Sequence, residues 1–344
     1  MITETPLVIE PLTDINPTSQ SQSWNKILAE SVKDVEVLLS KLDIPITDLN
    51  RRQQASLDFP VLIPQPFIDK MNKGDANDPL LLQVLPQRFE LDSEVGFIKD
   101  PLAEKHSNSQ KGIIHKYYGR VLVLLSTGCA VNCRYCFRRH FPYEENRLGS
   151  KDWHDILSYI ANDKSISELI LSGGDPLMLN DQQLEKFIKQ AEEIPHLERL
   201  RIHTRLPIVI PQRITNKLAR ILEDSHFQCV MVFHINHAQE INNELSLKLS
   251  ELSKAGVTLL NQAVLLRHIN DSIEQQVELS HSLFKSGVLP YYLHVLDKVA
   301  GAHHFDIGET EAQTLHQQLL LKLPGYLVPK LVRENAGAGS KTPL

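Results

Sequence analysis

Cysteine is scarce in this chain: there are four in 344 residues, and three of them fall between Cys129 and Cys136. A disulfide framework needs cysteines in pairs spread along the chain, so it is excluded, and a compartment that keeps thiols reduced is expected. Basic charge is not in excess either. The 36 lysines and arginines are outnumbered by 42 acids and are scattered rather than striped, so no nucleic-acid partner is expected. No apolar run approaches the ~20 residues needed to cross a bilayer, and the first residues lack both a basic segment and an apolar leader core. A soluble, cytoplasmic protein without membrane contact is the expectation, long enough to bury a sizeable core.

The chain divides by pattern. Residues 1–20 are rich in Pro, Thr, Ser and Gln without periodicity and read as a loose arm. Residues 21–117 read as a helical extension. It opens on one amphipathic helix from Trp24 to Leu42 and is then broken by Pro60, Pro64, Pro66, Pro79, Pro86 and Pro101. From 118 to 325 apolar runs at 121–125, 168–172, 199–203, 229–235, 257–266 and 288–296 alternate with helical segments at 152–162, 181–193, 211–223, 241–254, 272–286 and 309–322. The fifth of these helices has a start signal in Asn270-Asp271 with Glu274. Such alternation predicts right-handed βαβ units and a parallel sheet. Six units are too few to close an eight-stranded barrel, so the fold class is α/β, a partial (β/α)6 TIM-like barrel, with an open doubly wound sheet as second choice. Residues 326–344 form a short tail.

The polar residues gather where the strands end, which in such barrels is where catalytic groups sit. After the first strand come Cys129, Cys133 and Cys136, spaced C-x3-C-x2-C. Three thiolates suit three irons of a cubane iron–sulfur cluster and leave a fourth iron open to a small molecule. Zinc with His140 as a further ligand, or three buried thiols, are the alternatives. Gly173, Gly174 and Asp175 end the second strand. Glycines there admit a ligand's amine and carboxylate against bare backbone; a plain tight turn is the alternative. His203, Arg205, His234, Asn236, His237 and Gln262 end later strands, as cavity lining or as structural hydrogen-bonding groups. His303 and His304 read as a solvated loop. Arg120, after Tyr117, suits a phosphate. Lys341 stands beyond a run of small residues, either in a frayed tail or held from water, where a lysine bonds covalently to a carbonyl cofactor.

The run from Cys129 to Phe137 resembles the signature of radical S-adenosylmethionine (SAM) enzymes. From about residue 58 to the end the chain resembles the lysine 2,3-aminomutase family, in Asn77 to Leu80, Asp100 to Leu102, Gly119 to Leu122, Leu171 to Met178, His234 to His237, Pro290 to Asp297 and Ala336 to Thr342. The resemblance implies a radical SAM barrel and a 1,2-migration of the amino group of L-lysine, giving β-lysine. It implies a [4Fe-4S] cluster on Cys129, Cys133 and Cys136, with SAM held by Gly173, Gly174 and Asp175. Pyridoxal 5′-phosphate (PLP) is implied on Lys341 and Arg120, with Tyr117 in contact, and His234 and Gln262 are cofactor contacts. Arg138 is implied to grip the substrate carboxylate, and Asp297 with Glu334 its distal amine. An unneutralised acid pair is poorly tolerated in a dry cavity, so a cationic side chain suits it.

The family places an aspartate where Glu334 stands and a zinc-ligating cysteine where Ser272 stands, so that shared zinc is not expected. Short members of this shape resemble those that supply β-lysine for elongation factor P, which implies that protein and its lysine ligase as functional partners; a homo-oligomer is compatible with the sequence. Two rivals stand beside this reading. One is a radical SAM aminomutase acting on another amino acid or on protein-bound lysine, and the other a non-catalytic iron–sulfur protein.

Overall fold

A computed structural model describes residues 23–46, 49–104, 110–142 and 148–344; the arm expected over 1–20 lies outside them. The centre is one nine-stranded sheet whose strands lie side by side in chain order. They are β1 (Ile113–Tyr117), β2 (Arg120–Ser126), β3 (Glu168–Gly173), β4 (Arg199–Thr204), β5 (Gln228–His234), β6 (Thr258–Val264), β7 (Leu289–His294), β8 (Lys330–Arg333) and β9 (Thr342–Pro343). Strands β2 to β8 run parallel, while β1 and β9 add antiparallel edges and the barrel does not close.

Alternation decides what each strand presents. Val121 and Val123, Leu169 and Leu171, Leu200 and Ile202, and Met231 and Phe233 are buried to 0–1% exposure against the helical layer. Their neighbours of opposite parity face the concave side: Leu122, Ile170, Arg201, His203, His234 and Gln262 all line one cavity. A period of two thus sorts core from site on every strand. The register continues it, pairing Leu122 with Ile170, Ile170 with Arg201 and His234 with Gln262.

The crossover helices follow from local signals. Asp181–Ala191 starts at Asn180, whose side chain accepts from Gln183 N at 2.9 Å, and buries Leu184, Phe187, Ile188 and Ala191. Burial of each of the three large side chains, Leu184, Phe187 and Ile188, contributes about 1.5–3 kcal/mol. Several elements differ from expectation. The helix expected over 24–42 is two, Trp24–Ala29 and Val35–Lys41. Val32 instead pairs with Ile63 in an antiparallel bridge, and Asp34 restarts the helix by capping Val37 N at 3.0 Å. Ile273–Lys285 is opened by Ser272 with Gln275 and not by Asp271 with Glu274. Residues 211–223 hold a short 3-10 turn and then the helix Asn216–Glu223, begun by Thr215.

The sheet also reaches beyond the expected core. Strand β1 falls within residues 21–117, and β8 and β9 within the tail. Two to five residues are too few for a periodic signal, and β1 mixes Ile113 and Ile114 with His115 and Lys116. Pairing of β9 with β8, with Leu344 N on Leu331 O at 3.1 Å, ties Lys341 to the sheet.

The loop after β2 is fixed from two sides. Arg134, fully buried, donates through Nε to Glu90 Oε1 at 2.9 Å and through Nη2 to Ala55 O at 3.2 Å, and Arg139 donates to Glu90 Oε2 at 2.8 Å. On the other side Asp175 N donates to Gly128 O at 2.7 Å, and a Cβ on Gly174 would lie 2.3 Å from that oxygen.

Two outcomes follow for stability. Glu90→Ala leaves two buried guanidiniums without their carboxylate and is expected to cost about 3–5 kcal/mol in denaturant unfolding. Glu198→Ala, which breaks an exposed pair with Arg199, should stay within about 0.5 kcal/mol; equal losses in the two variants would contradict the anchoring role. Gly174→Ala is expected to cost about 1–3 kcal/mol by overpacking, whereas Gly325→Ala, with open space around it, serves as the comparison that should cost less.

Candidate active site

Two adjoining cavities open on the concave face of the sheet. The smaller, of about 160 Å³, is walled by the loop after β2 and the ends of β3, β4 and β5. The larger, of about 310 Å³, runs from β1 across the sheet to the C-terminal loop. Phe137, Arg138, Ser172, His203, His234, Gln262, Val264 and Asp297 belong to both. They form the partition between the cavities, so a group in one is within reach of a group in the other.

Cys129, Cys133 and Cys136 all face the smaller cavity. Burial, with the neighbouring thiols, pushes Cys136 up to about 11 and Cys129 well above the ordinary thiol range. Thiolates in so dry a place need cationic partners, which iron supplies. Among the described residues no three or more His, Cys, Asp or Glu are placed to hold a single metal ion. A cubane cluster asks for something else, one thiolate at each of three corners around a shared space. His140 Nε2 donates to Ala300 O, 3.1 Å away, and lies outside both cavities. The donor set therefore fits a cluster better than zinc.

Gly173 and Gly174 line the same cavity, Gly173 with a positive φ of 115°. Asp175 lines it too, but its carboxylate is spent within the protein. It accepts from Thr204 Oγ1 at 2.8 Å, Arg205 N at 2.8 Å, Leu206 N at 2.9 Å and Leu177 N at 3.0 Å. What it does is hold the turn after β4. Arg205, on that turn, donates to Cys133 Sγ at 2.7 Å, Gln83 Oε1 at 2.7 Å and Glu240 Oε2 at 3.1 Å, and also contacts the Tyr135 hydroxyl.

The larger cavity carries a file of alternating charges. Arg138 holds Glu104 through two hydrogen bonds of 2.7 and 2.8 Å. Lys116 lies 3.4 Å from Glu104 and 3.1 Å from Glu334, and Lys341 Nζ donates to Glu334 Oε2 at 2.9 Å. Burial would raise Glu334, but Lys341 and Lys116 outweigh it and hold the carboxyl down at about 2. Asp297 makes no ion pair with those cations: burial and the Glu334 charge raise it to about 7, against a weaker downward pull from Lys341 and Lys116. One acid is ionised and the other close to half protonated at neutral pH.

Arg120 stacks on the Tyr117 ring, 4.7 Å from its centroid, and Lys341 Nζ sits 5.6 Å from the Tyr292 centroid. Burial and then Glu334 push the Tyr117 phenol up. His203, His234 and His294 are held neutral, above all by burial. The Nε2 atoms of His203 and His234 are buried and have no protein partner. Both histidines line the cavities, and a buried nitrogen without a partner is a group that a polar ligand there could satisfy.

The structure thus brings sixteen of the expected site residues to the cavity walls: Cys129, Cys133, Cys136, Gly173, Gly174, Asp175, Tyr117, Arg120, Arg138, His203, Arg205, His234, Gln262, Asp297, Glu334 and Lys341, although the carboxylate of Asp175 is used within the protein. Asn236 and His237 are structural. Asn236 binds Gln83, Tyr135 and Val264 N, and His237 Nδ1 accepts from Gln239 N at 3.2 Å. His303 and His304 are half-buried and not in a fully solvated loop, packing against Phe97 and Phe89 with ring centroids 6.0 and 6.2 Å apart. Glu104 and Lys116 were missed. Strand parity with Ile114 was the available signal for Lys116; Glu104 had none.

The Radical SAM superfamily model matches residues 123–275. L-lysine 2,3-aminomutase of Haemophilus influenzae is 50% identical over 94% of this chain and 96% of its own length, and that of Escherichia coli 48% identical over 95% and 96%. The L-lysine 2,3-aminomutase of Clostridium subterminale is 34% identical over 93% of this chain and 77% of its own length. On this footing, with three thiols around a cavity that adjoins a second, charge-lined one, the chain belongs to the L-lysine 2,3-aminomutase family of radical SAM enzymes, which are isomerases.

Proposed function

We propose that the chain converts L-lysine to β-lysine by a 1,2-shift of the amino group, with SAM at a cluster on Cys129, Cys133 and Cys136 and PLP on Lys341. The observation that carries the choice of substrate is the position of Lys341 itself. An alkylammonium, the protein's own, rests on Glu334 over the Tyr292 ring, near enough to Asp297 to lower its carboxyl. A cavity end that accepts one lysine ammonium suits a second.

When bound, the cluster with SAM supplies a hydrogen-abstracting radical, and PLP supplies an electron sink for the nitrogen that moves. The chain's own residues supply position. Arg138 binds the substrate carboxylate, a role supported by its place in the lining of both cavities, with Glu104 fixing the guanidinium from the Nε and Nη2 side. Asp297 and Glu334 hold the distal ammonium at the other end. Arg120 takes the cofactor phosphate, with Tyr117 against the ring. His203, His234 and Gln262 offer polar atoms to the bound groups without adding charge. The partition shared by the two cavities sets the radical source beside the substrate and keeps water from it.

Likeness along nearly the whole length to the H. influenzae and E. coli relatives supports placing this chain among the short members of the family. On that reading the product is made in the reducing cytoplasm and passes to a lysine ligase that modifies elongation factor P.

Anaerobic incubation with SAM, a reductant and L-lysine is expected to yield β-lysine on chiral chromatography. Product from another amino acid, or only from a lysine-bearing protein, would overturn the substrate. With PLP added, the protein should gain a visible absorbance band that borohydride fixes covalently. Lys341→Ala should lose both band and fixation, and a variant that keeps them refutes the assignment.

Asp297 gives a pH signature. Its carboxyl is raised from 3.8 to about 7, so the folded chain favours the protonated form. That contribution to stability is complete below about pH 4 and is lost as pH rises through 7. Asp297→Asn should therefore stabilise the ligand-free chain more at pH 8 than at pH 5 in thermal unfolding; a gain of the same size at both would show that Asp297 is not held protonated.

A further inference from the structure

Arg205 is used neither by the proposed reaction nor by the fold's apolar core. It is buried to 7% exposure, with its guanidinium at the wall of the smaller cavity. Nη1 is 2.7 Å from Cys133 Sγ and also touches the Tyr135 hydroxyl, while Nη2 reaches Gln83 Oε1 at 2.7 Å and Glu240 Oε2 at 3.1 Å. A structural arginine needs only its carboxylate; this one spends a donor on a sulfur that faces the cluster cavity.

Its backbone is fixed as well. Asp175 accepts from Arg205 N and Leu206 N. Glu240 is locked by Asn236 N at 2.9 Å and His237 N at 3.1 Å, both on its other oxygen. The guanidinium can neither swing out to water nor trade sulfur for carboxylate.

We propose that Arg205 is a positioning residue that raises the reduction potential of the cluster, through its hydrogen bond to Cys133 Sγ, and that Glu240 sets how much of its positive charge the cluster feels. Reduction adds one electron from an external low-potential donor, so the reduced cluster carries one more negative charge. A fixed cation and an N–H donor at a ligating sulfur stabilise that form over the oxidised one, and hydrogen bonds to the sulfurs are among the determinants of such potentials. Glu240, 3.1 Å behind the guanidinium, opposes it. The inference rests on family membership and holds whatever the amino-acid substrate.

The test is a redox titration with dithionite, followed by electron paramagnetic resonance, on protein reconstituted with iron and sulfide, without SAM or amino acid. Iron and sulfide content are measured on each sample. Arg205→Met is expected to weaken the reduction equilibrium at least tenfold, about 59 mV towards negative potential for one electron. Arg205→Lys should shift it less in the same direction, and Glu240→Gln should shift it the opposite way. Opposite signs are the decisive feature, because general loosening of the site has no reason to produce them. Midpoints equal to the wild type at full cluster content, or shifts of one sign in Arg205→Met and Glu240→Gln, would overturn the proposal. Should Arg205→Met fail to hold a cluster, Glu240→Gln decides alone, with a positive shift supporting it and an unchanged or negative one refuting it.

Discussion

A guanidinium cannot be buried without acceptors, and this molecule buries four around one loop. Arg134 and Arg139 are matched by Glu90, Arg138 by Glu104 and Arg205 by Glu240. Removing one partner of such a pair costs several kcal/mol, because the other charge is left in a low-dielectric place. The loop after β2, which carries three cysteines, therefore takes its shape from carboxylates elsewhere in the chain. Glu90 and Glu104 come from the segment before the sheet and Glu240 from the turn after β5. The N-terminal segment is thus part of the site's construction, although its helices are short and broken by proline.

The fold was largely legible because strand and helix periods are local properties. Each apolar run from 121 to 296 became a strand, and each polar strand end from Cys129 to Asp297 arrived at one concave face. Period two did the sorting: Ile170 and Ser172 face the cavities while Leu169 and Leu171 face the helices. Short edges escaped for the same reason. Thr342–Pro343 has no period to read, and it becomes a strand only because β8 offers its edge. The helix broken at Val32 escaped because a partner at Ile63 competes for its backbone, and no window around Val32 contains that partner.

The site was legible to the extent that its residues follow strand ends. Gly174 is an instance of partial reading: a glycine there suggests close approach to a ligand, and the nearest atom to its missing side chain is the protein's own Gly128 oxygen. Asp175 is a sharper one. A carboxylate after two glycines reads as a ligand contact, yet five hydrogen bonds to Thr204, Arg205, Leu206 and Leu177 occupy it. Charge pairing was not legible at all. Lys116 and Glu334, or Glu104 and Arg138, meet across long stretches of chain, and nothing in either local sequence names the other.

Electrostatics in the larger cavity then explains how it can hold two acids in a dry place. Glu334 stays ionised because two ammoniums flank it, while Asp297, with less cationic help, goes half protonated. The lining of the cavity as a whole is cationic without any ligand, with Lys116, Arg120, Arg138, Arg201 and Lys341 against Glu104, Glu334 and Asp297, so the balance that matters is the local one at Glu334. On the proposed function Lys341 leaves Glu334 when it takes up PLP, and a buried carboxylate would be short of one cation. The ammonium of substrate lysine restores the same charge at the same carboxylate. The exchange of one lysine ammonium for another keeps the charge count of the cavity constant, whereas a substrate with a neutral or acidic side chain would leave Glu334 poorly compensated. Selection for a cationic side chain thereby follows from the desolvation of Glu334 and not from the shape of the cavity alone.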